Sequence, residues 1–78
     1  MKKSLNSRRY ARLLQVLRAA RDEAGLTQAE VCAKLQAHAS FISKVEKGDR
    51  RLDVVELADL CRIYRVPLGT ILAEAGIS

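Results

Sequence analysis

Thr27-Gln28-Ala29-Glu30-Val31-Cys32-Ala33-Lys34-Leu35-Gln36-Ala37-His38-Ala39-Ser40-Phe41-Ile42-Ser43-Lys44-Val45-Glu46-Lys47-Gly48 places two short helical patterns almost end to end. Thr27 with Glu30 three residues on is a capping-box pattern, in which the hydroxyl accepts from the Glu30 amide and the carboxylate reaches back. It opens a helix with Val31, Cys32 and Leu35 on its inner side, ending near Leu35 or Gln36. A second apolar face, Phe41, Ile42 and Val45, follows at once. Gln36-Ala37-His38-Ala39 must therefore turn, although it contains neither Gly nor Pro, and Gly48 ends the second helix. Two helices at 27–35 and 38–46 joined by a tight turn form a helix-turn-helix candidate. Any compact helical bundle contains such pairs, so the flanking sequence has to add weight.

Upstream, Tyr10, Leu13, Leu14, Leu17 and Ala24 recur at helical spacing and predict a first helix from about Ser7 to Ala24. Gly25 follows as a natural left-handed terminating residue. Downstream, Gly48-Asp49-Arg50-Arg51 reads as a loop. Asp53 then caps a fourth helix, with Glu56 three residues on as its reciprocal partner. Val54, Leu57, Leu60, Cys61 and Tyr64 supply that helix with an apolar face. Pro67 suits the first turn of a fifth helix carrying Leu68, Ile71 and Leu72. The expected fold is all-α, a compact bundle of five short helices with no internal repeat, divided into a basic arm over residues 1–6 and one domain over 7–78.

Composition agrees with a single small core. The chain has 78 residues, 49% of them hydrophobic but only 4% aromatic, with one Pro. An Ala/Leu/Val-rich apolar set favours helices over sheets. A chain this short buries only about 60% of its unfolded surface, which leaves room for one core and no second, effector-sensing domain. Cys32 and Cys61 sit inside apolar periodic segments and read as buried core thiols rather than a disulfide framework. His38 is the single His, so no metal site at a recognised spacing is formed and no cofactor is expected. No apolar run approaches the roughly 20 residues of a membrane span, and no hydrophobic segment follows the basic N-terminus, so a cytoplasmic protein is expected.

Charge is more informative. Residues 1–51 carry twelve Lys/Arg and five Asp/Glu, a net +7, whereas residues 52–78 carry two and four, a net −2. One face suited to a polyanion and another turned away from it would produce this asymmetry, as would an ordinary solvated surface. An enzyme is not expected: the Thr27/Glu30 and Asp53/Glu56 pairs are accounted for as caps, and neither Cys stands beside a base.

The segment Leu17-Arg18-Ala19-Ala20-Arg21-Asp22-Glu23-Ala24-Gly25-Leu26-Thr27-Gln28-Ala29-Glu30-Val31 resembles the first half of the helix-turn-helix region in the lambda repressor/Cro-like, or XRE, family. Ser40-Phe41-Ile42-Ser43-Lys44-Val45-Glu46-Lys47-Gly48 is similar to that family's recognition helix and terminating Gly, and Leu52 to Leu72 to its last two helices. The resemblance covers about residues 13–72 without a gap. It implies a five-helix domain, usually dimeric, that binds double-stranded operator DNA as a transcriptional regulator. A protein-interaction module, such as an antitoxin holding a toxin or an adaptor, is the alternative use of the same fold. No membrane and no small-molecule ligand are expected.

The resemblance assigns roles by position. Its recognition helix enters the major groove with N-terminal residues toward base edges. With Phe41, Ile42 and Val45 inward, Ala39, Ser40, Ser43 and Lys44 face outward as the base-reading set. Thr27 and Gln28 lie at the N-terminus of helix 2, where free amides favour an anion, and the family uses Gln at the second of these places to hold a phosphate and brace the recognition helix. Arg50 and Arg51 in the loop, and His38 when protonated, complete the expected phosphate contacts. Lys2, Lys3, Arg8, Arg9 and Arg12 are either DNA-directed or merely solubilising. Gln36 and His38 depart from the family, which commonly has Gly and a small capping residue there. The family also implies a semi-buried ion pair between Arg21 and Glu46, and a dimer interface, expected at Leu68, Ile71 and Leu72; the alternative is that those three simply close the core.

Overall fold

The computed structural model describes residues 7–77, so the expected arm over residues 1–6 lies outside the described residues. Five helices and no strand are found among the described residues: α1 (Arg8–Glu23), α2 (Gln28–Leu35), α3 (Phe41–Lys47), α4 (Val54–Tyr64) and α5 (Leu68–Glu74). The all-α five-helix expectation is met, and no helix is long and apolar enough to cross a membrane among these residues.

The starts of α1, α2 and α4 are each fixed by a side-chain cap. The Ser7 hydroxyl accepts from the Tyr10 amide and opens α1. Both capping boxes form. The Thr27 hydroxyl accepts from Glu30 N–H at 3.1 Å while the Glu30 carboxylate accepts from Thr27 N–H at 2.8 Å. The Asp53 and Glu56 carboxylates exchange the same bonds at 2.7 and 3.0 Å. Orphan amides at a helix start are thereby satisfied, an effect worth about 1 kcal/mol per cap.

The stops share one device. At Gly25, Gln36, Gly48, Arg65 and Gly76 the backbone is left-handed, with φ between 56° and 84°. The next amide reaches back five residues, as in Leu26 N–H to Arg21 O and Val66 N–H to Cys61 O. This is the Schellman closure. Gly25 and Gly48 were legible from sequence because Gly accepts that conformation freely. Gln36 and Arg65 adopt it against the roughly 1–2 kcal/mol that a Cβ costs there, and packing on both sides of those turns holds them. Arg65 carried no sequence signal.

The core contains Leu13 and Leu17 of α1, Val31 and Cys32 of α2, Ile42 and Val45 of α3, Leu60, Cys61 and Tyr64 of α4, and Ile71 of α5 with the following Ala75. α1 touches α3, α4 and α5, and α2 touches α3 and α4. Cys32 and Cys61 are free and buried, as expected of core thiols, and burial pushes the Cys61 thiol up.

Three expectations about apolar faces need correction. Ala24 is exposed, because α1 has ended at Glu23 and Ala24 belongs to the cap. Val54 is 76% exposed: it stands in the first turn of α4, one turn before the buried part of that face begins at Leu57. Ile71, assigned to a dimer interface, is only 1% exposed within the single chain and belongs to its core. α5 is short, and its one fully inward position seals the space between α1 and α4.

Candidate nucleic-acid interface

α3 has seven residues, too few to persist alone in water. Its position therefore depends on what grips it. Ile42 and Val45 anchor its inner side. At its C-terminal end the Glu46 carboxylate accepts from Arg21 Nε at 2.7 Å and Arg21 Nη2 at 3.1 Å, and from Gln28 Nε2 at 2.9 Å. Arg21 Nη1 donates to the Leu26 carbonyl at 2.9 Å. The side chains of Arg21 and Glu46 are each 9% exposed. One buried cluster thus joins α1, the α1–α2 loop, α2 and α3.

The electrostatics follow from the geometry. The Glu46 hydrogen bonds, opposed in part by burial, hold the Arg21 guanidinium above its usual range. Burial, followed by the Glu46 charge, pushes the Tyr64 phenol above its own. Both shifts leave the Arg21 guanidinium charged and the Tyr64 phenol neutral at neutral pH.

The turn between α2 and α3 is held by its own polar atoms. Cys32 Sγ lies 3.5 Å from the Ala39 carbonyl. His38 closes the turn that leads into α3: its carbonyl accepts from Phe41 N–H at 2.9 Å, and its Nδ1 accepts from Ser40 N–H at 3.1 Å, while the N-cap residue Ser40 makes no side-chain capping bond. These bonds form a tight turn over residues 39–40 and delay the helix to Phe41, three residues later than the sequence indicated. Ala39 and Ser40 accordingly stand in the turn that leads into α3 rather than on it.

Of the four residues assigned to base reading, Ala39 and Lys44 are exposed, and Ser40 and Ser43 are half-buried. The Ser40 hydroxyl is 2.9 Å from His38 Nδ1, and the Ser43 hydroxyl donates to the Ser40 carbonyl at 3.0 Å. Among the residues assigned to phosphate, Thr27 is occupied in its capping box, and Gln28 spends one N–H on Glu46 while keeping its carbonyl and second N–H. Arg50 has a second occupation. Its fork meets the Glu56 carboxylate at 2.7 Å on both arms, its Nη1 also donates to the Arg51 carbonyl, and the guanidinium lies 4.9 Å from the centroid of the Phe41 ring. Arg51 lies 4.3 Å over Tyr10, whose hydroxyl accepts from Leu52 N–H. Arg12 donates to the Glu74 carbonyl at 3.0 Å, tying α1 to the end of α5.

The Arg50–Glu56 link was not found from sequence, because an i,i+6 pair across a loop matches no helical or strand period. It stitches the start of α3 to the start of α4. The Arg50 hydrogen bonds, reinforced by the Asp53 amide, hold the Glu56 carboxyl below its usual value of 4.5. A carboxylate with a lowered folded value stabilises fully above its unfolded value and loses that contribution as pH falls through the folded one. Wild-type protein is therefore expected to lose more melting temperature between neutral pH and pH 4.5 or below than Glu56→Gln does; parallel losses in the two proteins would remove the pair from the account.

A helix-turn-helix domain family matches residues 11–74. A solved structure of an XRE-family like protein from Pseudomonas syringae pv. tomato str. DC3000 is 43% identical, covers 87% of this chain and 83% of its own, and superposes with a TM-score of 0.81. No curated protein matches the chain. The chain belongs to the helix-turn-helix domain family, is of the XRE type, and is by class a DNA-binding regulator.

Proposed function

We propose that the protein represses or activates transcription by binding a specific two-half-site operator as a homodimer. The observation that carries this reading is the buried Arg21–Glu46–Gln28 cluster, which orients α3 while leaving Ala39 and Lys44 exposed. A short helix held on its inner side, with Lys44 exposed on its outer side, suits insertion into a major groove. In this reading Ala39, Ser40, Ser43 and Lys44 face base edges. Thr27, Gln28 and the outer Nε2 of His38 approach the phosphates, and Arg51 adds positive charge beside them. Arg50 keeps its fork on Glu56 and serves mainly to hold the loop and Phe41 in place.

The dimer is proposed through the start of α5 and the surface beside it. Leu68 is 36% exposed and Leu72 half-buried, and Val55 on α4 is 69% exposed. Leu68→Glu is expected to leave the melting temperature of the monomer unchanged, since an acidic residue in the first turn of a helix complements its dipole. The same substitution should shift sedimentation toward monomer and weaken operator binding more than about tenfold, the equivalent of 1.4 kcal/mol. An unchanged sedimentation profile would place the interface elsewhere.

The test of function is selection of bound duplexes from a random library, then affinity for the winner against salt. Two related half-sites about 34–36 Å apart are expected. The slope of log affinity on log salt should be about −0.9 for each phosphate contacted. A slope near zero would overturn DNA binding through this face.

A further inference from the structure

We propose that the reading surface separates amino bases from keto bases: Ser40 and Ser43 meet DNA as hydrogen-bond acceptors and select adenine or cytosine, whereas Lys44 meets it as a donor and selects guanine or thymine. This rests on the operator reading above and deepens it.

A serine hydroxyl in isolation says little about sequence. It carries one donor and two lone pairs and is compatible with any base edge. Here both serine protons are spent inside the protein. Ser43 Oγ donates to the Ser40 carbonyl at 3.0 Å. The Ser40 proton is fixed by His38. The Ser40 amide donates to His38 Nδ1 at 3.1 Å, which requires a lone pair on that nitrogen. Nδ1 then carries no proton, so in the 2.9 Å contact between Ser40 Oγ and the same nitrogen the hydroxyl is the donor, and the one lone pair of Nδ1 is shared between amide and hydroxyl. Both oxygens are left with lone pairs alone for a partner outside.

Adenine N6 and cytosine N4 present N–H donors in the major groove, while guanine O6 and thymine O4 present acceptors. An amino base can donate to either serine without disturbing the protein. A keto base forces a serine proton outward and removes an internal hydrogen bond, or else faces two sets of lone pairs across the interface. Lys44 behaves oppositely. Its ammonium has three donors and no acceptor, it is exposed, and its side chain has no partner among the described residues. Ala39 has no polar side-chain atom and takes no part in the distinction.

One hydrogen bond of this kind corresponds to about threefold to tenfold in affinity at each serine position. The test selects duplexes in parallel with wild-type protein, Ser40→Ala and Ser43→Ala. The positions at which a variant loses its preference are expected to hold adenine or cytosine in the wild-type site. Replacing such an adenine by nebularine, which lacks only the exocyclic amino group, should lower wild-type affinity about threefold to tenfold. It should leave the affinity of the corresponding Ser→Ala variant unchanged. The analogue measurement uses wild-type protein and so does not depend on any variant folding. His38→Phe, which removes the acceptor nitrogen, should relax the amino preference at the Ser40 position and preserve it at the Ser43 position. Guanine or thymine at these positions, variants that relax no position, or nebularine bound as tightly as adenine would each overturn the inference while leaving operator binding in place. A library from which nothing is enriched would overturn operator recognition and this inference together.

Discussion

In a thermal melt, Glu46→Ala is expected to cost about 3–5 kcal/mol, the range for removing one partner of a buried ion pair. The substitution takes away the acceptor for three donors at once, two from Arg21 and one from Gln28. Arg21 would remain buried with the Leu26 carbonyl as its hydrogen-bond acceptor and only the exposed Asp22 carboxylate, 3.6 Å away, as a counter-charge. A domain of this length has roughly 4–12 kcal/mol in total, at about 0.05–0.15 kcal/mol per residue, so the loss is a large share of the whole. A fall of at least about 12 °C is expected, at about 4–8 °C per kcal/mol. Changing both partners, as Arg21→Met with Glu46→Leu, should recover most of the stability, because well-packed apolar pairs often equal or exceed buried ion pairs. Operator affinity should stay low in that double variant, since two flexible apolar chains supply no fixed angle between α1 and α3. A single-variant loss below about 1 kcal/mol would mean that the pair is screened as surface pairs are, and that α3 is oriented by Ile42 and Val45 alone.

Ile71→Ala is expected to cost about 2–5 kcal/mol through lost burial and the cavity left behind. The loss should be the same at every protein concentration, because Ile71 is sealed within one chain. A dimer contact would behave differently: the wild-type melting temperature would rise with concentration by mass action, and removing the contact would flatten that rise, so the loss itself would vary with concentration. Melts at several concentrations, set beside those of Leu68→Glu, separate a residue that closes the core from one that meets a second copy. Concentration-dependent destabilisation by Ile71→Ala would return this residue to the interface.

The helical architecture was readable because its signals are local. Thr27/Glu30 and Asp53/Glu56 are each satisfied within a single turn, Gly25 and Gly48 tolerate the left-handed stop without strain, and the faces of α1 and α4 repeat at the helical period. Local reading went wrong where an element meets its end. Val54 and Ala24 match an apolar pattern but lie where α4 has not yet reached the core, or where α1 has already left it. His38 and Ser40 looked like the start of a helix, yet the His38 side chain and carbonyl draw the chain into a turn first.

The candidate site divides along the same line. The residues of the outer side of α3 follow from periodicity once Ile42 and Val45 are known to face inward, and the Arg21–Glu46 pair was expected from family resemblance. What those residues do was not contained in the string. Gln28 on Glu46, Arg50 on Glu56 and Phe41, and the serine protons turned toward His38 and the Ser40 carbonyl all depend on bonds that period and propensity do not encode. Sequence alone settled which segments are helices and which family pattern they follow, because caps, stops and hydrophobic period act over three to five residues. Only the tertiary structure decided which charged groups are spent inside the protein and which remain for a partner, because a hydrogen bond satisfied across separate elements depends on distances that only packing sets.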